Sequence, residues 1–489
     1  MPLKQNYPWE VNIVAYKTIV GLEIHVELLT KTKMFCHCKN EFGGDANTHC
    51  CPICLGLPGA LPKLNKEALE YGIKAGLALN CQIADRVKMD RKHYFYPDLT
   101  KGYQISQDDN PLCSKGYLEI ESEEGPKKIG IQRIHIEEDT GKSIHTEAGD
   151  TLVDYNRAGV PLIEIVTAPD INSGEEARMF LENLKNTLKY IEVSDCKMEE
   201  GSLRCDVNIN VVDTETGKRT NITELKNLNS FKAVATAIEY EENRHISLLK
   251  EGKNTIKETR RWNDVENVTV AMRGKGTTDN YRYAVDVDIP PVTIKEAWID
   301  EIRANLPELP HAKKERFMRE YDLPEYDAGV LTQSKELSIF FEETVKLCDD
   351  AKQVSNWIMG DVLRRLNDEG IEVGDLKFGP EDLAALLKLI NDDKISNNIG
   401  KKVLREMFET GKKPEDIVKE KGWIQISDED ELKQIVGKVL EENQQSVIDY
   451  KNGKDRALGF IIGQVMKATR GKANPQIVNK LVLEAIEEK

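Results

Sequence analysis

The chain has 489 residues, enough for two to four domains, and its 40% hydrophobic and 31% charged residues mark a globular protein with ample core, not a disordered one. Its longest apolar runs, such as Leu383 to Leu387, are far too short for a bilayer, and MPLKQNYPWE lacks a secretory signature, so the expected location is the cytoplasm, without membrane contact. The formal net charge of -16 excludes indiscriminate phosphate binding by the whole surface and leaves local basic patches as the route to nucleic acid.

The first element in chain order is GLEIHVEL, residues 21 to 28. Its alternation predicts a strand with Leu22, Ile24, Val26 and Leu28 on one face and Glu23, His25 and Glu27 on the other. Two carboxylates and an imidazole side by side suit either a solvated strand or a metal site. Next come Cys36, Cys38, Cys51 and Cys54, two close pairs with twelve residues between them. In a reducing compartment the ten cysteines read as thiols or metal ligands, and this spacing fits a tetrahedral structural zinc site with no open position for chemistry. His37, His49 and Cys50 are alternative ligands.

Helices are predicted over Asn65–Leu79, Ser173–Tyr190 and Ser230–Leu249, with Ser173 and Ser230 as N-caps. Between them, DRKHYFYPDLTKGYQISQ (90–107) interleaves Arg91, Lys92 and Lys101 with Tyr94, Phe95, Tyr96 and Tyr103, a mixture suited to a nucleotide or an unstacked terminal base. In RIHIEED, alternation places Glu137 on the polar face, but a strand end or bulge there leaves Glu137 and Glu138 both open. In VPLIEIVTAP, Glu164 interrupts an apolar run that reads as a strand buried on both faces. A buried carboxylate must be protonated, bound to metal or paired with a cation, for which Arg157 is a candidate. Three acidic strands in one domain favour magnesium, a hard ion that keeps waters and substrate phosphates. No Walker A sequence is present, and MRGKGTTDN (272–280) is a weak phosphate loop. Lys226, Asn229 and Ser230 open a predicted helix, a place for an anion or simply an N-cap, and Arg260 and Arg261 follow.

Near residue 293 the texture changes from strands to successive helices. Gly360 lies within one of them, where it would permit close packing. The reading is an α+β protein with a large mixed-sheet domain (1–293), a helical domain (294–408) and a small helical tail (409–489). From Asp449 to Val482 seven cations face two anions, a local net of +5.

VGLEIHVEL, DRKHYFYPDLTKGYQISQ, IHIEEDTGKSIH, NRAGVPLIEIVTAPD, EEGSLRCDVNIN, ELKNLNSFKAV and ETRRWND resemble, in order, the signature stretches of the B-subunit family of glutamyl/aspartyl-tRNA amidotransferases (GatB/GatE). The resemblance runs from about residue 18 to the C-terminus. It implies a cradle domain that uses ATP and Mg²⁺ to phosphorylate the side-chain carboxylate of Glu-tRNA(Gln) or Asp-tRNA(Asn). Ammonia supplied by the glutaminase (amidase) partner, the A subunit, then displaces phosphate, and a small C subunit completes a heterotrimer. The resemblance places the magnesium ligands at Glu23, His25, Glu138 and Glu164, and so prefers Glu138 where alternation prefers Glu137. Within that function the basic, aromatic and helix-start residues read above, Arg91, Lys92, Tyr94, Lys226, Asn229, Ser230 and Arg260, are the candidate nucleotide or acceptor-end contacts. The resemblance gives the tRNA-gripping tail Arg456, Lys467, Arg470 and Lys472. The four-cysteine knuckle occurs in only some members. The chain departs from the family pattern at NYRYAVDVD (280–288), at Ala168 and at His93. Two rival readings are a tRNA-binding scaffold without its own phosphoryl transfer and a free-standing carboxylate–amine ligase. The scaffold need not keep the four proposed ligands, and the ligase leaves the basic tail unexplained.

Overall fold

A computed structural model describes residues 15–272, 281–423, 429–454, 456–469, 473 and 475–487. Two compact units result, Met1–Leu309 and Pro310–Lys489. The first opens with β1 (Tyr16–Glu27), α1 (Lys66–Ala78), β2 (Gln82–Ile83), β3 (Arg86–Val87), β4 (Asp90–His93) and β5 (Tyr103–Ser106). Next come β6 (Cys113–Ser122), β7 (Gly125–Glu138), β8 (Lys142–His145), β9 (Thr151–Asp154), β10 (Pro161–Thr167) and α2 (Gly174–Tyr190). It continues with β11 (Leu203–Asp213), β12 (Thr223–Lys226), α3 (Phe231–Lys250), β13 (Glu258–Asn263) and β14 (Val268–Ala271). It closes with β15 (Arg282–Val285), β16 (Val292–Thr293) and α4 (Glu296–Ala304).

Nine of these strands form one sheet in the order β14-β13-β12-β11-β1-β10-β7-β6-β2, antiparallel except for the β12–β13 pair. The alternation of β1 is realised as expected: Val20, Leu22, Ile24 and Val26 are buried, and they join a core that includes Ile73 of α1, Phe180 of α2 and Val234 of α3. Helix-period apolar residues and good caps explain those helices. Asn65, Ser173 and Ser230 accept hydrogen bonds from backbone N–H groups of the first turns of α1, α2 and α3. Strand order places β1 centrally, between β10 and β11, so its polar residues share a face with theirs.

The first unit extends past residue 293 because α4 packs on α1. Ile299 and Ile302 enter the core, and Trp298 Nε1 donates to Glu70 at 3.2 Å. β15 pairs with β4, so the divergent segment from Tyr281 onward still closes a small sheet, β15-β4-β5. Residues 273–280 of the weak glycine-rich stretch lie outside the described residues.

The second unit contains two apolar cores, one from Phe317 to Val418 and one from Leu432 to Ile486. The larger reaches past residue 409, because helix Pro414–Lys421 buries Ile417 and Val418 in it. Gly360 lies in a π-helical turn, Ile358–Val362, with open space where a Cβ would be, so it serves no close helix approach.

Gly174 does serve one. A Cβ there would lie 2.4 Å from the backbone oxygen of Ala235, at the meeting of α2 and α3. Gly174→Ala is expected to cost roughly 1–3 kcal/mol by overpacking, read as a lower thermal midpoint of the sheet unit; an unchanged midpoint would refute this packing.

Candidate functional site

The polar side of the large sheet is built from residues that alternate with the core. Cross-strand pairing sets His25 of β1 beside Glu164 of β10, and Glu164 beside His135 of β7. Glu137, two residues on from His135, completes the group. His25 Nε2 lies 3.4 Å from Glu137 and 3.4 Å from Glu164, while His135 Nε2 lies 3.1 Å from Glu164 and 3.5 Å from Glu137. Ser106 also donates to Glu137 at 3.1 Å. Ligand atoms of His25, Glu137 and Glu164 all fall within 4.8 Å of one another. Two hard carboxylates and one imidazole at that spacing fit a magnesium-type ion.

Electrostatics support the grouping. Burial alone would lower the pKa of His25, but its bonds to Glu137 and Glu164 raise it to about 10. The same balance raises His135 to about 8. Burial would raise both glutamates, but the two imidazoles hold them well below the carboxylate range. Glu23 has the opposite shift: burial and the charge of Glu164 raise it, against a 2.9 Å hydrogen bond from Asn208. Glu23 is not among the ligand atoms that fall within 4.8 Å of one another, and it lies two residues from His25 on the same face of β1.

Glu138 lies elsewhere. It is bound by Lys101 and by the backbone N–H of Ile105 (2.9 Å). The polar-face position belongs to Glu137, in keeping with two-residue alternation, because β7 keeps its register through its last residue. Arg157 pairs with Asp139, not with Glu164. The sequence pattern assigns His135 no role; the signal that could have found it is its parity with Arg133 and Glu137.

The basic and aromatic candidates divide. Lys92 sits over the Tyr281 ring at 4.7 Å. Its burial, which alone would lower its pKa, is outweighed by Glu137 and Glu164. Tyr94 stacks on Tyr96 and meets Tyr281 edge-on, beside the exposed Phe95. Arg91 is held by Asp286 (2.9 Å) and Asp288 (2.6 Å), pinning β4 to the segment after β15. Lys226 is on the polar face, its pKa raised by Asp206 and Glu224 against the lowering effect of burial. Ser230 is an ordinary N-cap, accepting from Ala233 N–H, and Asn229 is exposed beside it. Arg260 faces the helices. It pairs in register with core residue Leu225 and contacts Glu241 of α3 at 3.2 Å. Arg261 takes the polar-face position instead, opposite Lys226.

The four cysteines converge. Their sulfurs lie within 4.8 Å of one another, with Cys38–Cys54 at 4.0 Å and Cys51–Cys54 at 3.8 Å. Tetrahedral thiolates around zinc stand about 3.8 Å apart, so the set fits without rearrangement. A hydrogen bond from Cys36 lowers the Cys54 thiol to about 4. Cys50 Sγ lies 3.9 Å from Asn156 and His37 is exposed, and neither of these nor His49 is in the group of ligand atoms within 4.8 Å of one another.

Arg456 and Lys467 are exposed on helix Arg456–Ala468, about three turns apart and so on one side of it. Arg470 and Lys472 lie outside the described residues. Among the described residues no helix is long and apolar enough to cross a membrane.

Glu137→Gln is expected to weaken divalent-ion binding by about tenfold or more, while Glu138→Gln leaves it near wild type; calorimetry giving the reverse order would overturn the assignment. His25 must release its proton to become a ligand. Apparent affinity should therefore rise with pH by up to about tenfold per unit, level off above the raised value near 10, and lose that slope in His25→Gln.

Residues 18–300 match the family model described as the GatB/GatE catalytic domain, and residues 339–486 the GatB domain. The chain is similar to the B subunit of the aspartyl/glutamyl-tRNA(Asn/Gln) amidotransferase of Clostridium tetani (strain Massachusetts / E88), 57% identical over 475 residues, 96% of this chain and 99% of that protein. The protein of the same name from Clostridium botulinum (strain Langeland / NCTC 10281 / Type F) is 58% identical over 470 residues, 96% of this chain and 98% of its own length.

Proposed function

The chain belongs to the GatB/GatE family, and from that premise we propose that it is the B subunit of a tRNA-dependent amidotransferase, a ligase of translation. In this reading it works with the glutaminase A subunit and a small C subunit on Glu-tRNA(Gln), Asp-tRNA(Asn) or both. A carboxylate is a poor acyl donor because its leaving group is oxide. Transfer of the γ-phosphoryl group of ATP to a carboxylate oxygen gives ADP and an acyl phosphate. Ammonia then forms the C–N bond as the C–O bond to phosphate breaks, and phosphate departs.

The observation that carries the reading is the His25, Glu137 and Glu164 cluster on the polar sheet face. These three residues would hold Mg²⁺, which supplies charge neutralisation to the triphosphate. The chain's own groups do the rest. His135 and Ser106 fix the two carboxylates. Lys92 brings a cation toward them from the aromatic hairpin, whose exposed Phe95 offers a ring to the acceptor end. Lys226, already partnered by Asp206 and Glu224, balances charge within the acidic face. The cysteine knuckle would hold zinc as a structural part. Arg456, Lys467, Arg470 and Lys472 would contact the outer part of the tRNA by charge.

The test uses the chain assembled with its A and C subunits. Glu164→Ala should lower amidation of Glu-tRNA(Gln) by about a hundredfold or more and leave glutamine hydrolysis by the glutaminase in place. Unchanged amidation would favour the scaffold reading and defeat this one.

A further inference from the structure

Lys33 lies between β1 and the first cysteine pair and is fully buried. Its Nζ donates to the carbonyl oxygens of His49 (2.7 Å), Ala158 (2.8 Å) and Tyr155 (3.4 Å). Its backbone N–H donates to Cys38 O at 3.0 Å. All these acceptors are neutral, and among the described residues no carboxylate forms an ion pair with it. An ammonium group removed from water with only neutral partners is strongly disfavoured unless an anion lies close by.

The anion available here is sulfur. The stem of Lys33 and Cys54 both flank Gly159: a Cβ on Gly159 would lie 3.6 Å from Lys33 Cδ and 3.6 Å from Cys54 Cβ. Four thiolates around one divalent ion form a net dianion, which a buried cation would offset. On the reading of the knuckle as a zinc site, we propose that Lys33 is its buried counter-charge, a positioning residue that lets Cys36, Cys38, Cys51 and Cys54 hold the ion as four thiolates. By the same contacts Lys33 ties the knuckle to the 155–159 loop, which leads directly into β10 and Glu164. Side chains reinforce that tie: Asn156 accepts from His49 N–H at 2.8 Å, and Asn47 accepts from Tyr155 N–H at 2.8 Å.

The experiment is zinc release from the full chain to a chromogenic chelator, with metal content measured beforehand. Lys33→Met is expected to release zinc about tenfold faster or more, the range for groups that support metal ligands from outside. Lys33→Gln, which keeps donors but not charge, should behave like Lys33→Met, and Lys33→Arg, which keeps the charge, should stay near wild type. The Gln and Arg pair decides the matter should the Met variant fail to fold. The exposed Lys31→Met is the control and should change nothing. Equal release from wild type, Lys33→Gln and Lys33→Arg would overturn the role of Lys33 alone. Wild-type protein purified with far less than one zinc per chain would overturn the zinc reading of the knuckle and the proposal with it.

Discussion

Strand β1 can hold Glu23, His25 and Glu27 in a row because Leu22, Ile24 and Val26 are buried on its other side against α1, α2 and α3. Each such burial is worth about 1.5–3 kcal/mol before the cost of ordering the chain. A one-residue slip would bury the two carboxylates and the imidazole and expose the apolar set, so the register is strongly specified. The central place of β1 carries that register to both neighbours. His25 meets Glu164 on one side and Arg204 on the other, and Glu23 meets Asp206. The acidic working face is thus a consequence of the apolar pattern beneath it.

On that face Glu23 has acids, not cations, as its charged neighbours. Glu137 and Glu164 are each about nine-tenths buried or more and are reached by two imidazoles, but Glu23 and Glu27 have pKa values raised by burial, with like-charged neighbours adding to the shift. Glu27 rises to about 7, with Asp139 as the acid that pushes it. A surface in which some carboxylates are driven toward protonation is one that gains from a divalent cation. At the knuckle the buried ammonium of Lys33 has only neutral carbonyl partners among the described residues, and on the proposed zinc reading the four thiolates would be its counter-ions.

Much of this was legible in the residues. Two-residue alternation placed β1, the caps at Ser173 and Ser230 marked two helices, and the cysteine spacing marked the four sulfurs that the fold brings within 4.8 Å of one another. Glu137 was also legible by parity; the family resemblance pointed to Glu138 instead, and only the continued register of β7 separates the two. The sequence candidate is Arg260, which faces the helices, and not Arg261, which lies opposite Lys226 on the polar face, because the parallel pairing of β12 with β13 is set by a crossover through α3 that no local pattern records. The pairing of β4 with β15, nearly two hundred residues away, likewise left no local trace. Lys33 was hidden for another reason: a lysine reads as surface until its carbonyl partners at 49, 155 and 158 are brought together by the fold.

The central claim is that His25, Glu137 and Glu164 hold one divalent ion. Its most direct test is pulsed electron paramagnetic resonance on the chain with Mn²⁺ in place of Mg²⁺. The expected result is nitrogen modulation from a directly bound imidazole in wild type, lost in His25→Gln. A spectrum of water and oxygen ligands alone, identical in the two proteins, would contradict it.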